Sequence, residues 1–156
     1  MAVYSFKPGN REDALYIAVR ARQADVDELW AAARTSPFVS LLRGIQNSPE
    51  CWTGSIDGEP VCMFGVAAQS ILTGYGVPWM VGTSAIDRHS KAFLKGSKFV
   101  VEGMLHKWSH LENWVDARNV RAIRWLKYLG FTVHPPLPYG ELGLPFHCFE
   151  MERSHV

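Results

Sequence analysis

The segment Asp87-Arg88-His89-Ser90-Lys91 gathers a carboxylate, an imidazole, a hydroxyl and two cations within five residues. Where a strand runs into a helix, such groups suit an anion. Cation and hydroxyl contacts to phosphate are strong, and a helix N-terminus adds its own positive end. Lys95 extends the basic face by one turn. The same residues also make an ordinary solvated helix start, with Asp87 or Ser90 as its cap. Further along, Glu112 and Asp116 flank a short apolar strand; with Asp87 they are the candidate general bases. His106 and His110 stand four apart, a metal-compatible spacing on a helix, but they oppose the apolar stripe and lack a third ligand. They read as solvated groups, so no metal site is expected. His134 and His147 read as structural or surface groups, and Ser84 and Cys148 have no base beside them to make a nucleophile.

The elements that must position these groups follow from periodicity. Leu15 to Arg22 alternates as LYIAVRAR and predicts a strand. Asp25 with Glu28 has the form of a capping box, opening a helix with Val26, Leu29, Trp30 and Ala33 on its apolar face. Ser36-Pro37 starts a second helix bearing Phe38, Leu41, Leu42 and Ile45. CWTGSI and VCMFGVAA flank Asp57-Gly58, a hairpin signal, and residues 78–86 (PWMVGTSAI) predict a third apolar strand with a bulge at Gly82. A long helix over 90–111 carries Phe93, Leu94, Ser97, Val101, Met104, Leu105, Trp108 and Leu111 on one face. A strand over 113–117 precedes a helix capped by Asn119 and stopped at Gly130; the segments 131–133 and 145–152 form a last pair of strands.

Composition narrows the function classes. The 156 residues hold 16 Lys and Arg against 15 Asp and Glu, a net charge of +1, which gives no field for nucleic acid or an anionic membrane. Three scattered cysteines, Cys51, Cys62 and Cys148, make neither a disulfide framework nor CxxC spacing and fit a reducing cytoplasm. No apolar run is long enough for a signal peptide or membrane span. A single α/β domain over 1–156 is expected, with a mixed sheet and helices on both faces.

That order, together with Asn119-Val-Arg-Ala122-Ile-Arg-Trp-Leu126-Lys-Tyr-Leu129-Gly130-Phe131, resembles the GNAT N-acetyltransferase family and its N-x-x-A-x-x-x-Y-x-x-L-G-F pattern. Asn119 caps, Ala122 lets the helix approach the sheet, and Gly130 permits the turn. A narrower resemblance, over Trp79 to Met151, is to small GNAT-like proteins of tailed phages and prophages of the internal virion protein A type, through PWMVGTSAIDRHSKAFLKGS and GLPFHCFEM.

The resemblance implies a mainly antiparallel sheet with a parallel central pair. It also implies acetyl-CoA as co-substrate between splayed strands, and transfer of acetyl to an amine by direct attack. It assigns cofactor contacts to Ser84, Ala85, Ile86, Arg88, His89, Ser90, Lys91 and Asn119. Where the family has a glycine-rich phosphate loop, this chain has no glycine before Gly96, so side chains would replace backbone N–H groups. Leu126 stands where the family has its tyrosine acid, leaving a water or another tyrosine, such as Tyr75 or Tyr139, as its substitute. The alternative is a GNAT-fold phage protein with a degenerate cofactor site, partnered by virion proteins in assembly. Its exposed final strands could also mediate a homodimer.

Overall fold

In the computed structural model, the described residues 1–154 form eight strands and six helices; the last two residues of the expected domain lie outside them. In order these are β1 (Tyr4–Pro8), α1 (Arg11–Ala18), α2 (Gln23–Ala33), α3 (Pro37–Asn47), β2 (Cys51–Ile56), β3 (Glu59–Ser70), β4 (Tyr75–Gly82) and α4 (Ala85–Arg88). There follow α5 (Ser90–Lys107), β5 (His110–Asp116), α6 (Val120–Leu129), β6 (Thr132–Val133), β7 (Leu137–Tyr139) and β8 (Leu144–Glu152). The strands make one sheet in the order β1-β2-β3-β4-β5-β8-β6, with β7 also paired to β8. Every pairing is antiparallel except β4 with β5, as expected.

One face is covered by α1 and α3, which bury Ala14, Ile17 and Leu41 against Met63 and Val81. The other is covered by α5 and α6, around Leu111, Val115, Leu126, Phe131 and Phe149. The hairpin turns at Asp57 (φ 51°) and Gly58 (φ 80°), the left-handed pair that matches strand twist. Ser36 accepts from Val39 N–H and caps α3, and Gly130 (φ 103°) stops α6, both as the sequence predicts.

Several expectations are corrected. Leu15–Arg22 is not a strand: Asn10 caps Asp13 N–H, and Ala14, Ile17 and Ala18 meet the core at helical spacing, so α1 replaces it. The first strand is instead β1, which pairs with β2 along the sheet edge. Asp25 and Glu28 form no capping box, because α2 begins at Gln23 and both carboxylates turn toward the sheet. Its buried residues are Asp25 and Ala31, with Leu29 packed on the core, whereas Trp30 is exposed. The third strand ends at Gly82, and Ala85–Arg88 is a helical turn. Gly82 pairs regularly with Cys62 and forms no bulge; its missing Cβ leaves room for Ile86 Cδ1, which would lie 2.0 Å away. The long helix ends at Lys107, so Leu111 is a core residue of β5 rather than of the helix stripe, and His110 is buried in β5 rather than solvated on a helix.

The turn after β7 docks against the end of α2. Glu141 and Leu142 N–H groups donate to the carbonyls of Ala32 and Ala31, at 3.0 and 3.3 Å. Gly140 (φ 76°) makes this approach possible, since a Cβ there would meet Ala32 Cα and O at 2.7 Å. Gly140→Ala is therefore expected to destabilise the fold by about 2–3 kcal/mol, through backbone strain and overpacking together. Urea unfolding measures it; a midpoint unchanged from wild type would mean the loop is free to lift off α2.

Candidate active site

The parallel pair β4–β5 is short. Tyr75 and Gly76 pair with His110 and Leu111, and then the strands part. Ladder alternation directs the backbone groups of Gly76, Pro78, Met80 and Gly82 toward β5. Each of three parted backbone groups is taken by a side chain. Asn113 Nδ2 donates to Pro78 O (2.7 Å), Gly82 N–H donates to Asp25 Oδ2 (3.0 Å), and Asp116 N–H on β5 donates to Glu28 Oε1 (2.8 Å). The two α2 carboxylates thus bind one strand each. Between them, alternation points Met80 N–H into the gap.

This arrangement concentrates negative groups. Burial pushes Glu28 up to about 7; neighbouring Asp25 adds to the shift, and the Asp116 N–H opposes it. Asp25 is also raised, by burial first, against the Gly82 N–H. Asp116 goes the other way. Burial raises it, but the Arg118 side chain and backbone N–H outweigh that and hold it below the ordinary range. Asn119 occupies the N-cap position of α6 without capping it: its Nδ2 lies 3.5 Å from Glu28 Oε1, and its buried Oδ1 has no partner.

Two cavities meet at the gap. On the α2 side a cavity of about 310 Å³ is lined by Asp25, Glu28, Asn119, Tyr139 and Arg43, among others. On the α5 side a more apolar cavity of about 580 Å³ is lined by Phe6, Phe64, His89, Phe93 and Met104. Pro78, Trp79, Met80, Trp125, Leu126 and Phe149 line both, so the opening passes through the sheet. Trp125 Nε1 is buried there without a hydrogen-bond partner. Tyr139 stacks on Trp114 with ring centroids 4.4 Å apart, and burial raises its hydroxyl pKa. Tyr75 stacks on His110 and lines neither cavity, and Tyr128 is exposed beside Lys98.

The sequence candidates separate accordingly. Asp87 pairs with Arg121 (3.2 Å) outside both cavities. Glu112 turns to His110, also away from them. Asp116 reaches the site through its N–H while its carboxylate holds Arg118. Among the phosphate-corner residues, Ile86 and His89 line the larger cavity, and Tyr4 Oη lies 3.1 Å from His89 Nδ1. Ser84, Arg88 and Lys91 are exposed at the start of α4 and α5. The N–H groups of Ile86, Asp87 and His89 are bonded within the α4 turn, so they form no open cradle. Sequence reasoning missed Asp25 and Glu28 as site residues. Their i, i+3 spacing on the same face as Leu29 and Ala32 was the available signal.

No family model matches this sequence, and no curated protein matches it. Solved structures do. Ard1 from Thermoplasma volcanium superposes with a TM-score of 0.73 at 15% identity, over 97% of this chain and 99% of that one. The spermidine N-acetyltransferase from Vibrio cholerae, in complex with CoA and spermine, gives 0.72 at 10% identity over 97% and 96%. The aminoglycoside acetyltransferase AAC(6′)-Ib, in complex with coenzyme A, gives 0.68 at 16% over 97% and 95%. The chain has the GNAT fold.

Because folding raises Glu28 from an ordinary value of 4.5 to about 7, its protonated form favours the folded state. That stabilisation is complete below pH 4.5 and is lost as pH rises through 7. Between pH 4.5 and 8 the wild type should therefore lose about 2–3 kcal/mol more stability than Glu28→Gln. Chemical denaturation across that range tests this; parallel stability curves would mean that Glu28 is not held protonated by the fold.

Proposed function

We propose that this protein is an N-acyltransferase that moves an acetyl group from acetyl-CoA to an amine. The observation that carries the reading is the opening between β4 and β5, where Met80 N–H faces the gap and Glu28, with its raised pKa, borders the adjoining cavity. The groups around the opening suit a pantetheine arm, whose amides offer both donors and acceptors. The unpartnered Trp125 N–H and Asn119 Oδ1 are one of each. The phosphates would fall to exposed Arg88 and Lys91 and half-buried Ser90, with Arg121 nearby on Asp87.

Bound acetyl-CoA would supply an activated thioester. The chain supplies the rest. Glu28 accepts the proton that the amine must lose, and a pKa near 7 makes it both available and basic at neutral pH. Met80 N–H donates toward charge developing on a carbonyl oxygen in the gap. Tyr139, whose hydroxyl burial keeps protonated, donates to a leaving thiolate in place of the tyrosine that Leu126 displaces. Asp116 stays ionised on Arg118 and holds the β5 end in place.

A second reading keeps the fold and retires the site, leaving a role in virion assembly or interaction. The α4 turn favours it, because it consumes N–H groups that would otherwise meet a pyrophosphate. Calorimetric titration with acetyl-CoA, followed by turnover on polyamines, aminoglycosides and peptides, separates the two. Under the first reading acetyl-CoA binds at micromolar concentration, and Arg88→Ala weakens it by about 1–3 kcal/mol. Glu28→Gln lowers kcat roughly 10²–10⁴-fold, and the wild-type rate rises with pH through about 7. Absence of both heat and a change in melting temperature would overturn it in favour of the second.

A further inference from the structure

On the sheet away from the opening, β5 and β8 bring four ionisable side chains together. Their register sets His110 opposite Glu152 and Glu112 opposite Glu150. Positions two apart on a strand share a face, so all four side chains project from one side. One ring nitrogen of His110 and one carboxylate oxygen from each of Glu112 and Glu150 lie within 4.8 Å of one another. Like charges directly opposite on paired strands are destabilising. Yet among the described residues no Lys or Arg pairs with Glu112, Glu150 or Glu152; only histidines approach them.

His110 makes the arrangement harder to satisfy without a cation. It is 6% exposed, and both of its ring nitrogens face carboxylates: Nε2 lies 3.3 Å from Glu112 Oε1, and Nδ1 lies 3.4 Å from Glu152 Oε1 without forming a hydrogen bond. A neutral imidazole has one N–H and one lone pair. Either tautomer therefore aims a lone pair at a carboxylate oxygen. A metal ion between His110 Nε2 and Glu112 removes that conflict, as a second ring proton also would, and with the ion bound Nδ1–H donates to Glu152. A ligating histidine backed by a carboxylate is the ordinary outer-shell arrangement of such centres. His134 Nε2 lies 3.5 Å from Glu150 Oε2, close enough to serve as the second carboxylate's outer-shell neighbour.

We infer that His110, Glu112 and Glu150 bind a divalent first-row transition-metal ion, with Glu152 and His134 behind them. Imidazole with two carboxylates suits zinc or manganese better than calcium or magnesium, which prefer all-oxygen sets. Ligands about 2.1 Å from a tetrahedral ion lie roughly 3.4 Å apart, so His110 and Glu112 already have the required spacing, and Glu150 needs a small inward rotation. An open fourth position would be left to water. The site ties β5 to β8 and does not depend on the acyltransfer reading.

The test uses the whole chain, stripped with a chelator and titrated calorimetrically with ZnCl₂ and then with MnCl₂, alongside melting curves. One equivalent should bind with micromolar or tighter affinity and raise the melting temperature. Glu112→Gln and Glu150→Gln should each weaken zinc at least about 10-fold while leaving the metal-free protein as stable as wild type or more so, since each relieves a like-charge pair. Glu141→Gln, in the exposed loop after β7, should change nothing. No uptake of either ion, with His110 ring nitrogens showing an imidazolium in NMR spectra, would overturn the proposal. So would zinc uptake unaltered by both glutamine substitutions.

Discussion

The structure depends on a sheet whose two central strands part without leaving their backbone groups orphaned. A strand that loses its neighbour exposes polar groups that cost free energy if buried unpaired. Here the partners come largely from one helix. Asp25 and Glu28, three residues apart on α2, take an N–H from β4 and an N–H from β5, and Asn113 takes the carbonyl of Pro78. The helix acts as a wedge with a hydrogen-bonding group on each flank. Its end is held by the loop after β7, which also sets Tyr139 over the cavity. Opening, wedge and candidate acid are therefore positioned by one connected set of contacts.

The wedge has an electrostatic consequence. Three carboxylates share a space that burial dries, and they do not respond alike. Asp116 has a guanidinium and a backbone N–H, so it remains ionised. Glu28 has one backbone N–H, an amide at 3.5 Å and a neighbouring Asp25, so burial prevails. Pairs of titratable groups driven apart in this way are what acid–base chemistry requires. Glu28 is thus both a strand partner and a carboxylate raised to about 7, so under the proposed function stability and chemistry would rest on the same residue.

The frame of the fold was legible in the sequence wherever local chemistry and tertiary context agree. Asp57-Gly58, Ser36-Pro37 and Gly130 each specify a conformation that little else competes for. Leu15–Arg22 alternates like a strand, but over barely two helical turns, and the stronger signal is the Asn10 cap just upstream with Ala14 and Ile17 at helical spacing behind it. The site was harder. Asp25 and Glu28 have the same spacing whether they cap a helix or bridge a split sheet, and only the position of Gly82 and Asp116 in space decides between them. Likewise His110 reads as solvated on an extended helix. Ending α5 at Lys107 moves it onto β5, among glutamates that are forty residues distant in sequence or two.

The strand-to-helix corner after β4 shows how loop chemistry redirects its surroundings. Glycines would let a backbone open toward an anion. Residues 84–88 instead close into a turn whose N–H groups bond to Thr83, Ser84 and Ile86 carbonyls, and Ile86 fills the space left by Gly82. The turn also carries Asp87 to Arg121, tying the corner to the first turn of α6, and sets His89 against Tyr4 of β1. Any anion bound at this corner would meet long exposed side chains, which must lose rotamer freedom to bind, rather than open backbone dipoles. The opening keeps a buried donor and a buried acceptor, Trp125 Nε1–H and Asn119 Oδ1, whereas the corner is closed by its own hydrogen bonds and packing. On the proposed acyltransfer reading, the acyl donor would accordingly draw more of its affinity from the opening than from its phosphates.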